Sequence, residues 1–427
     1  MTTKTHRKSR LHGAVARYRD ARRSLHTPAS PQSRYGLDWM NFFVADVQTG
    51  FGTFVAFYLA LRGWSVSDVG FMLTIGSLAS VLSQIPGGAL ADAMRWKRGL
   101  IAAGIAMIGV AALILAFTAS YIPVLLASVV QGVSGGVITP AIGAISLGLV
   151  GRRGMSLRTG RNYRYAAAGH AATAALMGFV GAYFELGIIF VAAAALCIPA
   201  LIALAFIRPE EIDYARARNA RTRDQALEIG RILDLGKSRG LVLFTAAIVL
   251  FQLADASMLP LIGEDLEKTP ATGSSIWMSG LIIIPQIVVA ILAPWVGYHS
   301  EKRGRRPLLL IGFAAEPLRA ALLAFSHDYA FLVIGQLLSG ITGAVIGVLT
   351  VLVVTDLTAG TGRFNLAQGT VGAISGIAAS ISTLATGFLF QGIGTMAGFL
   401  VIAGVAAAAT VLIAMFVSET KPADYGE

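Results

Sequence analysis

Two aspartates, Asp46 and Asp255, interrupt long apolar stretches of the sequence. An ionised carboxylate in a bilayer costs about 3 kcal/mol or more, so such an acid should face a bundle interior or a cavity. Burial favours the neutral carboxyl, which suits a group that binds and releases a proton. We therefore predict proton coupling at both aspartates. The alternative is that each is hydrogen-bonded to a neighbouring helix and only supports packing.

Single amides on apolar stretches are candidates for binding a small organic substrate. Five of them are predicted to line a substrate cavity: Asn41, Gln48, Gln131, Gln252 and Gln336. Contacts that only join helices are an equally good explanation for each glutamine taken alone. Arg319 is a cation inside a predicted helix, with Glu316 three residues before it on the same face. We interpret these two as a neutralised pair.

A short basic hairpin occurs twice, and it is predicted to act as a gate between two halves of the protein. Gly88 precedes Asp92 by four residues, and Gly297 precedes Glu301 by the same spacing. A glycine allows a second helix to approach closely, and an acid can face the positive N-terminus of that helix. The basic members of the two hairpins are Arg95, Lys97 and Arg98, and Arg305 and Arg306 after Gly304. Simple anchoring by positive charge requires neither the glycine nor the acid.

The two hairpins belong to an internal duplication of the chain. Asp92 and Glu301 are 209 residues apart, and so are Asp46 and Asp255. A fixed offset of this kind is typical of a repeated structural unit. A further matching connection, predicted to be a loop over 151–164 in the first copy, supplies more gate partners. Arg161 and Asn162 are expected to engage Glu301, and Arg363 and Asn365 are expected to engage Asp92. Ordinary helix capping is the alternative for all four.

The composition is that of a polytopic membrane protein. Only 13% of the 427 residues are charged and 55% are hydrophobic, whereas a soluble domain has about 25% charged residues. The net charge of +11 does not indicate nucleic-acid binding, because the basic residues lie in short loops between apolar runs. One cysteine excludes a disulfide framework and a cysteine-based metal site. No phosphate-binding loop or hydrolase motif occurs, so we expect neither cofactor nor metal, and no enzyme.

Twelve apolar runs approach the ~20 residues that a bilayer requires, which predicts an all-α membrane protein. The only long polar connection, 208–239, divides them six and six. The predicted arrangement in chain order is a basic tail 1–36, a half 37–207, the linker 208–239, a second half 240–417 and a tail 418–427.

The basic residues predict the orientation in the membrane. Of the 34 Lys and Arg residues, 31 lie in the tails and in the connections on one side. Positive residues accumulate on the cytoplasmic side. Both termini and the linker are therefore predicted to be cytoplasmic, in what we expect to be the inner membrane of a bacterium.

The sequence resembles the major facilitator superfamily over about 37–417. The family hairpin reads approximately Gly-x-Leu-Ala-Asp-Arg-x-Gly-Arg-Arg. The second copy here matches it well, with Glu301 for Asp, whereas the first has Ala93 where Arg is usual and Arg95 where Gly is usual. Proton-coupled drug exporters of the family also have an arginine in helix four, where this chain has Ser128 before Gln131-Gly132.

The resemblance implies two six-helix halves around a central cavity lined by helices one and seven. It also implies that the first hairpin meets helix eleven and the second meets helix five. We expect a monomeric secondary transporter in the lipid bilayer that exports a small organic compound in exchange for protons. A proton-coupled uptake permease for a nutrient or metal chelate is the first alternative. A lipid flippase or a non-transporting receptor is the second.

Overall fold

The computed structural model is helical almost throughout. It describes residues 29–49, 52–183, 186–220, 232–258, 274–325 and 328–423. Some side chains on those helices lie outside the description, among them those of 46–49 and 274–279. Within the described part the only strand-like pairing is an isolated bridge of Ala220 to Gly360 and Thr361.

Twelve long helices, labelled α1 to α12, make up the fold. Two of the labels need definition: α1 comprises the segments Pro31–Thr49 and Gly52–Leu61, and the segment Tyr121–Tyr183 is divided at Gly151 into α4 and α5. The others are α2 Val66–Ala93, α3 Lys97–Phe117, α6 Leu186–Ala205, α7 Arg239–Asp255, α8 Ser274–Arg303, α9 Arg306–Phe325, α10 Tyr329–Leu357, α11 Phe364–Ile393 and α12 Thr395–Phe416. Short helical turns at Pro209–Glu211, Arg216–Arg218 and Ile232–Leu235 belong to the linker.

The helices are those of an integral membrane protein. Nine continuous helical stretches in the described residues are long and apolar enough to cross a bilayer, as judged by length and composition. These bilayer-spanning lengths and the twelve helices of the described residues confirm the predicted fold class, an all-α membrane protein. Exposed apolar side chains such as Phe117, Phe388 and Met415 are expected on surfaces that face lipid.

Each half has its own apolar core. One cluster of buried side chains draws only on residues before the linker, and includes Leu37, Ile105 and Phe190. A second cluster is built mainly from the second half, around Phe244 and Phe313. The second cluster also takes in Leu147, Met155 and Ala167 of the first half. Between the halves, α2 packs against α11, and α8 packs against the segment that contains α4 and α5.

Two predicted helix boundaries were wrong. The first helix begins at Pro31 rather than at residue 37, so it includes part of the predicted tail. Asp46 therefore lies fifteen residues from its start, about 22 Å at ~1.5 Å per residue, instead of nine. The predicted loop 151–164 is helical except at Gly151, whose φ of 67° and ψ of 179° interrupt the helix. Glycine adopts this backbone conformation readily because it has no Cβ.

Candidate functional site

The two halves meet at the end of the bundle where the linker lies, here called the linker end. Most of the described contacts between them belong to two equivalent interfaces. The first seam joins α2 to α11, and the second seam joins α8 to α5.

The first seam depends on glycines at the crossing of its helices. A Cβ added to Gly88 would lie 2.2 Å from the backbone oxygen of Asn365. A Cβ added to Gly369 on the opposite helix would lie 2.0 Å from the backbone oxygen of Gln84. Contacts this short mean that the two backbones touch, which a larger residue would prevent.

Asp92 then binds the beginning of α11. Its carboxylate accepts hydrogen bonds from the backbone N–H of Leu366 at 2.8 Å and from Nδ2 of Asn365 at 2.7 Å, with a longer one of 3.4 Å from the Asn365 N–H. The first N–H groups of a helix have no partner within it. A carboxylate at this position satisfies them and interacts favourably with the helix dipole. The structure thus places Asp92 and Asn365 together, as the sequence predicted.

The second seam repeats these contacts at the 209-residue offset. A Cβ on Gly297 would lie 2.4 Å from the backbone oxygen of Ser156, and one on Gly160 would lie 2.5 Å from that of Ala293. Glu301 accepts a hydrogen bond of 2.8 Å from the hydroxyl of Ser156. The acid of the second seam therefore meets a side chain of α5, and not the free N–H groups at a helix start.

Arg305 supports the second seam from within its own half. Its guanidinium is buried, 3.2 Å from Asp356 on α10 and 3.3 Å from Glu301, and it also donates to the backbone oxygen of Ser300 at 2.8 Å. The carboxylate of Glu419, after α12, accepts from the Arg305 N–H at 2.8 Å. Arg305 thus fixes the turn between α8 and α9 and holds Glu301 in place.

The other residues of the second hairpin serve the same turn. Gly304 has a positive φ of 93° and lies against Glu419. The N–H of Arg306 donates to Glu419 at 3.1 Å, and its guanidinium donates to the backbone oxygen of Ala414. These contacts remain within the second half and do not reach across the seam.

The linker covers the first seam. The backbone oxygen of Ala217 accepts from Asn365 Nδ2 at 2.9 Å, so one amide contacts both the linker and Asp92. Asn219, in a left-handed conformation, donates to the backbone oxygen of Thr355 at 2.6 Å. Towards the first half, the N–H of Asp213 donates to the oxygen of Gly148 at 3.1 Å. The segment 208–220 therefore bridges both halves.

Three cations gather around Tyr214 of the linker. Arg95, Lys97 and Arg218 lie 5.6, 5.2 and 5.7 Å from the centre of its ring, within cation–π range. Burial lowers the pKa of the Arg218 guanidinium, and the negative charge of Asp92 opposes that shift. The linker thus brings a buried positive charge to the acid of the first seam.

Lys97 and Arg98 make local contacts as well. Lys97 is buried and donates to the backbone oxygens of Ala91 and Met94, which closes the end of α2. Arg98 donates to the backbone oxygen of Ala205 at 3.2 Å, at the end of α6. As in the second hairpin, some basic residues secure their own half instead of the seam.

Two predicted gate partners were assigned to the wrong acid. Arg161 lies well inside α5, where its Nη2 is 2.5 Å from Asp38 on α1. Asn162 accepts a hydrogen bond of 2.7 Å from Arg158. Neither caps α5, because that helix begins directly after Gly151, nine residues before Arg161. Arg363 is also displaced from its predicted partner, since it pairs with Asp234 of the linker at 2.9 Å.

Asp38 is the centre of this unpredicted cluster. It is fully buried and also forms an ion pair with buried Arg158. Asn41, predicted to line a substrate cavity, is buried in the same network and donates to the backbone oxygen of Leu37 at 2.6 Å and to Asn162 at 3.3 Å. The sequence contained one usable indication: Asp38 and Asn41 are three residues apart and so share a helix face.

In the second half, the structure brings Asp255 to the pair predicted on α9. Arg319 Nη1 lies 2.6 Å from Asp255 and 3.2 Å from Glu316. The sequence predicted the contact between Arg319 and Glu316 but not the third member. Asp255 is on α7, and only tertiary packing places it beside α9.

The remaining cavity candidates have different environments. The side chains of Asp46 and Gln48 lie outside the described residues, so their roles stay predictions. Gln131 and Gln252 are half-buried. Gln336 is buried, and its Nε2 has no hydrogen-bond partner among the described residues.

Comparison with known proteins agrees with this architecture. The sequence matches the family Major Facilitator Superfamily over residues 37–314 and 256–427. The chain belongs to the major facilitator superfamily. It is 34% identical over 397 residues to an uncharacterized MFS-type transporter of Mycobacterium tuberculosis (strain CDC 1551 / Oshkosh), covering 92% of this chain and 95% of the relative.

Two further likenesses are more limited. The tetracycline resistance protein, class D, of Salmonella ordonez is 37% identical over 150 residues, which is 34% of this chain and 37% of that protein. The crystal structure of the human organic anion transporter MFSD10 (TETRAN) aligns with a TM-score of 0.65 at 16% identity, over 90% of this chain and 100% of that one. At that identity the structural likeness shows the fold alone. Together these findings identify an integral membrane transporter.

Proposed function

We propose that this transporter exports a small organic compound in exchange for protons, by alternating access between its two halves. The observation that carries the proposal is the pair of matched seams, which close the linker end through contacts between the two halves. Backbone contacts at glycines and single carboxylates at helix ends can separate without unfolding either core. Such an interface suits a protein that opens alternately at its two ends.

The proposed orientation places the linker end in the cytoplasm. The support is the 31 of 34 basic residues on that side of the predicted topology and the general excess of positive charge in cytoplasmic loops. The described seams would then be the closed inner gate of an outward-facing conformation. Export is supported by the partial match to a tetracycline resistance protein.

The transport experiment uses inverted membrane vesicles from cells that produce the protein, with tetracycline as the first probe and a panel of organic cations and anions after it. An exporter should accumulate a substrate when the vesicle interior is made acidic, and a protonophore should abolish the accumulation. Glu210→Gln, at an exposed position of the linker, is the matched control and should transport normally. Accumulation only in right-side-out vesicles would overturn export and indicate uptake.

Proton coupling is proposed at Asp46 and at Asp255, the latter as a member of its cluster with Arg319 and Glu316. Asp46→Asn fixes a neutral side chain of nearly the same shape, so gradient-driven accumulation should be lost while downhill exchange of the same probe continues. Proteoliposomes that contain the variant separate these two activities. Wild-type accumulation by Asp46→Asn would show that this aspartate only supports packing.

A further inference from the structure

The cluster of Asp255, Arg319 and Glu316 has one more acid than base. Both carboxylates contact the same nitrogen of the guanidinium, at 2.6 and 3.2 Å. The side chains of Arg319 and Glu316 are 2% and 0% exposed, whereas that of Asp255 is 33% exposed. With all three ionised, the cluster would hold an uncompensated negative charge in the membrane interior.

No other described charge compensates it. Helix α9 packs against α7, α10, α12 and, marginally, α8. The sequence of α12 has no charged residue. The other charges of these helices lie at the linker end. They are Arg239 at the start of α7, Arg306 at the start of α9, Glu301 to Arg303 at the end of α8, and Asp356 at the end of α10, which pairs with Arg305. A buried unpaired charge is costly, so one carboxyl should take up a proton.

We propose that Glu316 is a proton-binding site and that Arg319 forms its ion pair with Asp255. The shorter contact of Arg319 is with Asp255, as expected for a charge-assisted hydrogen bond. Glu316 has the longer contact, and its Oε2 has no partner among the described residues. The proton comes from water, and the partly exposed Asp255 is the member of the cluster that water can reach.

The transport role of this site rests on the proposed proton coupling. Loss of the proton from Glu316 leaves two carboxylates that compete for Arg319, which favours movement of α7 relative to α9. Asp255 is thus the acid that orients Arg319, and Glu316 is the acid that carries the proton. This assignment differs from a permanent ion pair of Arg319 with Glu316, in which Glu316 would never be neutral.

Infrared difference spectroscopy of the purified protein, titrated with pH, tests the site without a substrate. A protonated carboxyl has a carbonyl stretch apart from the amide bands. Protein labelled with ¹³C at the glutamate side-chain carboxyl should show that band at a lower frequency, and the band should be lost in Glu316→Gln. Absence of any band that shifts with the label, or a label-shifted band that persists in Glu316→Gln, would overturn the assignment.

A second variant tests the charge count. In Asp255→Asn one acid remains for one base, so Glu316 should ionise and its protonated band should disappear near neutral pH. Glu210→Gln serves as the control and should retain the band. Retention of the band in Asp255→Asn would contradict the argument from charge.

The site and the transport function can fail independently. A glutamate band in a protein with no gradient-driven transport of any probe would overturn the proposed function but support the proton site. Gradient-driven transport by a protein without a glutamate band would support the proposed function but overturn the proton site. If both hold, Glu316→Gln should lose accumulation against the gradient and keep downhill exchange.

Discussion

The two seams have the same sequence offset and the same crossing glycines, but their acids bind different groups. Asp92 accepts from two backbone N–H groups and an amide of α11. Glu301 accepts from a side-chain hydroxyl of α5, that of Ser156. The reason lies in where the facing helix begins.

Helix α11 begins at Phe364, so Leu366 lies in its first turn. Its N–H has no partner within the helix and donates to Asp92. At the 209-residue offset, α5 would begin at residue 155, but it begins after Gly151. Ser156 therefore lies beyond the four N–H groups that lack partners at a helix start. Because α5 begins three residues earlier than the offset predicts, Glu301 does not lie at its N-terminus. It accepts a hydrogen bond from a side-chain hydroxyl instead.

The supports around the acids differ in the same way. The first seam is covered by the linker, which adds Arg218 and the contact of Ala217 with Asn365. The second seam depends on Arg305, which is part of the same half as Glu301. We infer that the first seam can be weakened through the linker, and the second through the turn between α8 and α9.

Spin labels measure the two seams separately. Labels at Ala93 and Thr361 report the first seam, and labels at Leu157 and Arg303 report the second. All four positions are exposed. The background replaces Cys197, which is the single native cysteine and is buried. The predictions below use these two label pairs in reconstituted protein.

The largest effect is expected from Arg305→Met. It leaves Asp356, 4% exposed, without its guanidinium partner, and removal of one member of a buried ion pair costs about 3–5 kcal/mol. We expect a lower unfolding temperature and a wider distance across the second seam, with the first seam little changed.

The double variant Arg305→Met with Asp356→Asn is the control for this prediction. It removes the unpaired charge, so most of the lost stability should return. If the double variant is as unstable as the single one, the cost comes from lost hydrogen bonds of Arg305 to Ser300 and not from the charge of Asp356.

A smaller effect is expected from alanine at the crossing glycines. A Cβ at Gly88 would meet a backbone oxygen at 2.2 Å, and overpacking of this kind costs about 1–3 kcal/mol, against about 1 kcal/mol of gained helix propensity. Gly88→Ala should widen the first seam and Gly297→Ala the second. Gly135→Ala, where nothing lies within 4 Å of the added atom, should change neither. Equal widening by Gly135→Ala would attribute the effect to helix stiffness.

The acids themselves give the direct comparison. Asp92→Asn loses a favourable interaction with a helix N-terminus of up to about 2 kcal/mol when partly buried. Glu301→Gln weakens the hydrogen bond from Ser156 across the seam, about 1 kcal/mol, while its contact with Arg305 lies within its own half. The open fraction of the first seam should therefore rise about 5- to 30-fold in the former, and the second seam should change less in the latter. Equal responses would mean that the contact with free N–H groups does not distinguish the seams.

The fold was predictable because a bilayer imposes a length on each helix and a duplication repeats the pattern. The pairing of Asp92 with Asn365 was predictable for the same reason, since both positions follow from the hairpin and its place in the repeat. The start of α5 was not predictable, because the sequence around it, with Arg152, Arg153 and Arg158, resembles a basic loop. Only packing shows that α5 continues into it and buries Arg158 against Asp38.

The cluster at Arg319 shows the other limit of the sequence. Helical spacing predicted the contact with Glu316, because three residues along a helix bring two side chains together. The contact with Asp255 depends on how α7 lies against α9, which no local pattern contains. Both unpredicted clusters join residues that are more than 60 positions apart.

The smallest effect is expected at Asn219, which tests whether the linker acts on the first seam alone. Its φ of 62° is left-handed, which costs an alanine about 1–2 kcal/mol, and its amide donates to Thr355 and Thr358 of the second half. Because this strain acts on Asp92 only through Ala217 and Asn365, Asn219→Ala should open the first seam a few-fold, less than Asp92→Asn does. Asn219→Gly keeps the backbone conformation at little cost and loses only the amide contacts, so its open fraction of the first seam should lie between those of wild type and Asn219→Ala.

The second-seam labels should not respond to either variant, since the described contacts of Asn219 include neither Glu301 nor Ser156. A response of both seams would mean that the linker holds the two halves together as a whole, and the contrast between the seams would then rest on their helix starts alone.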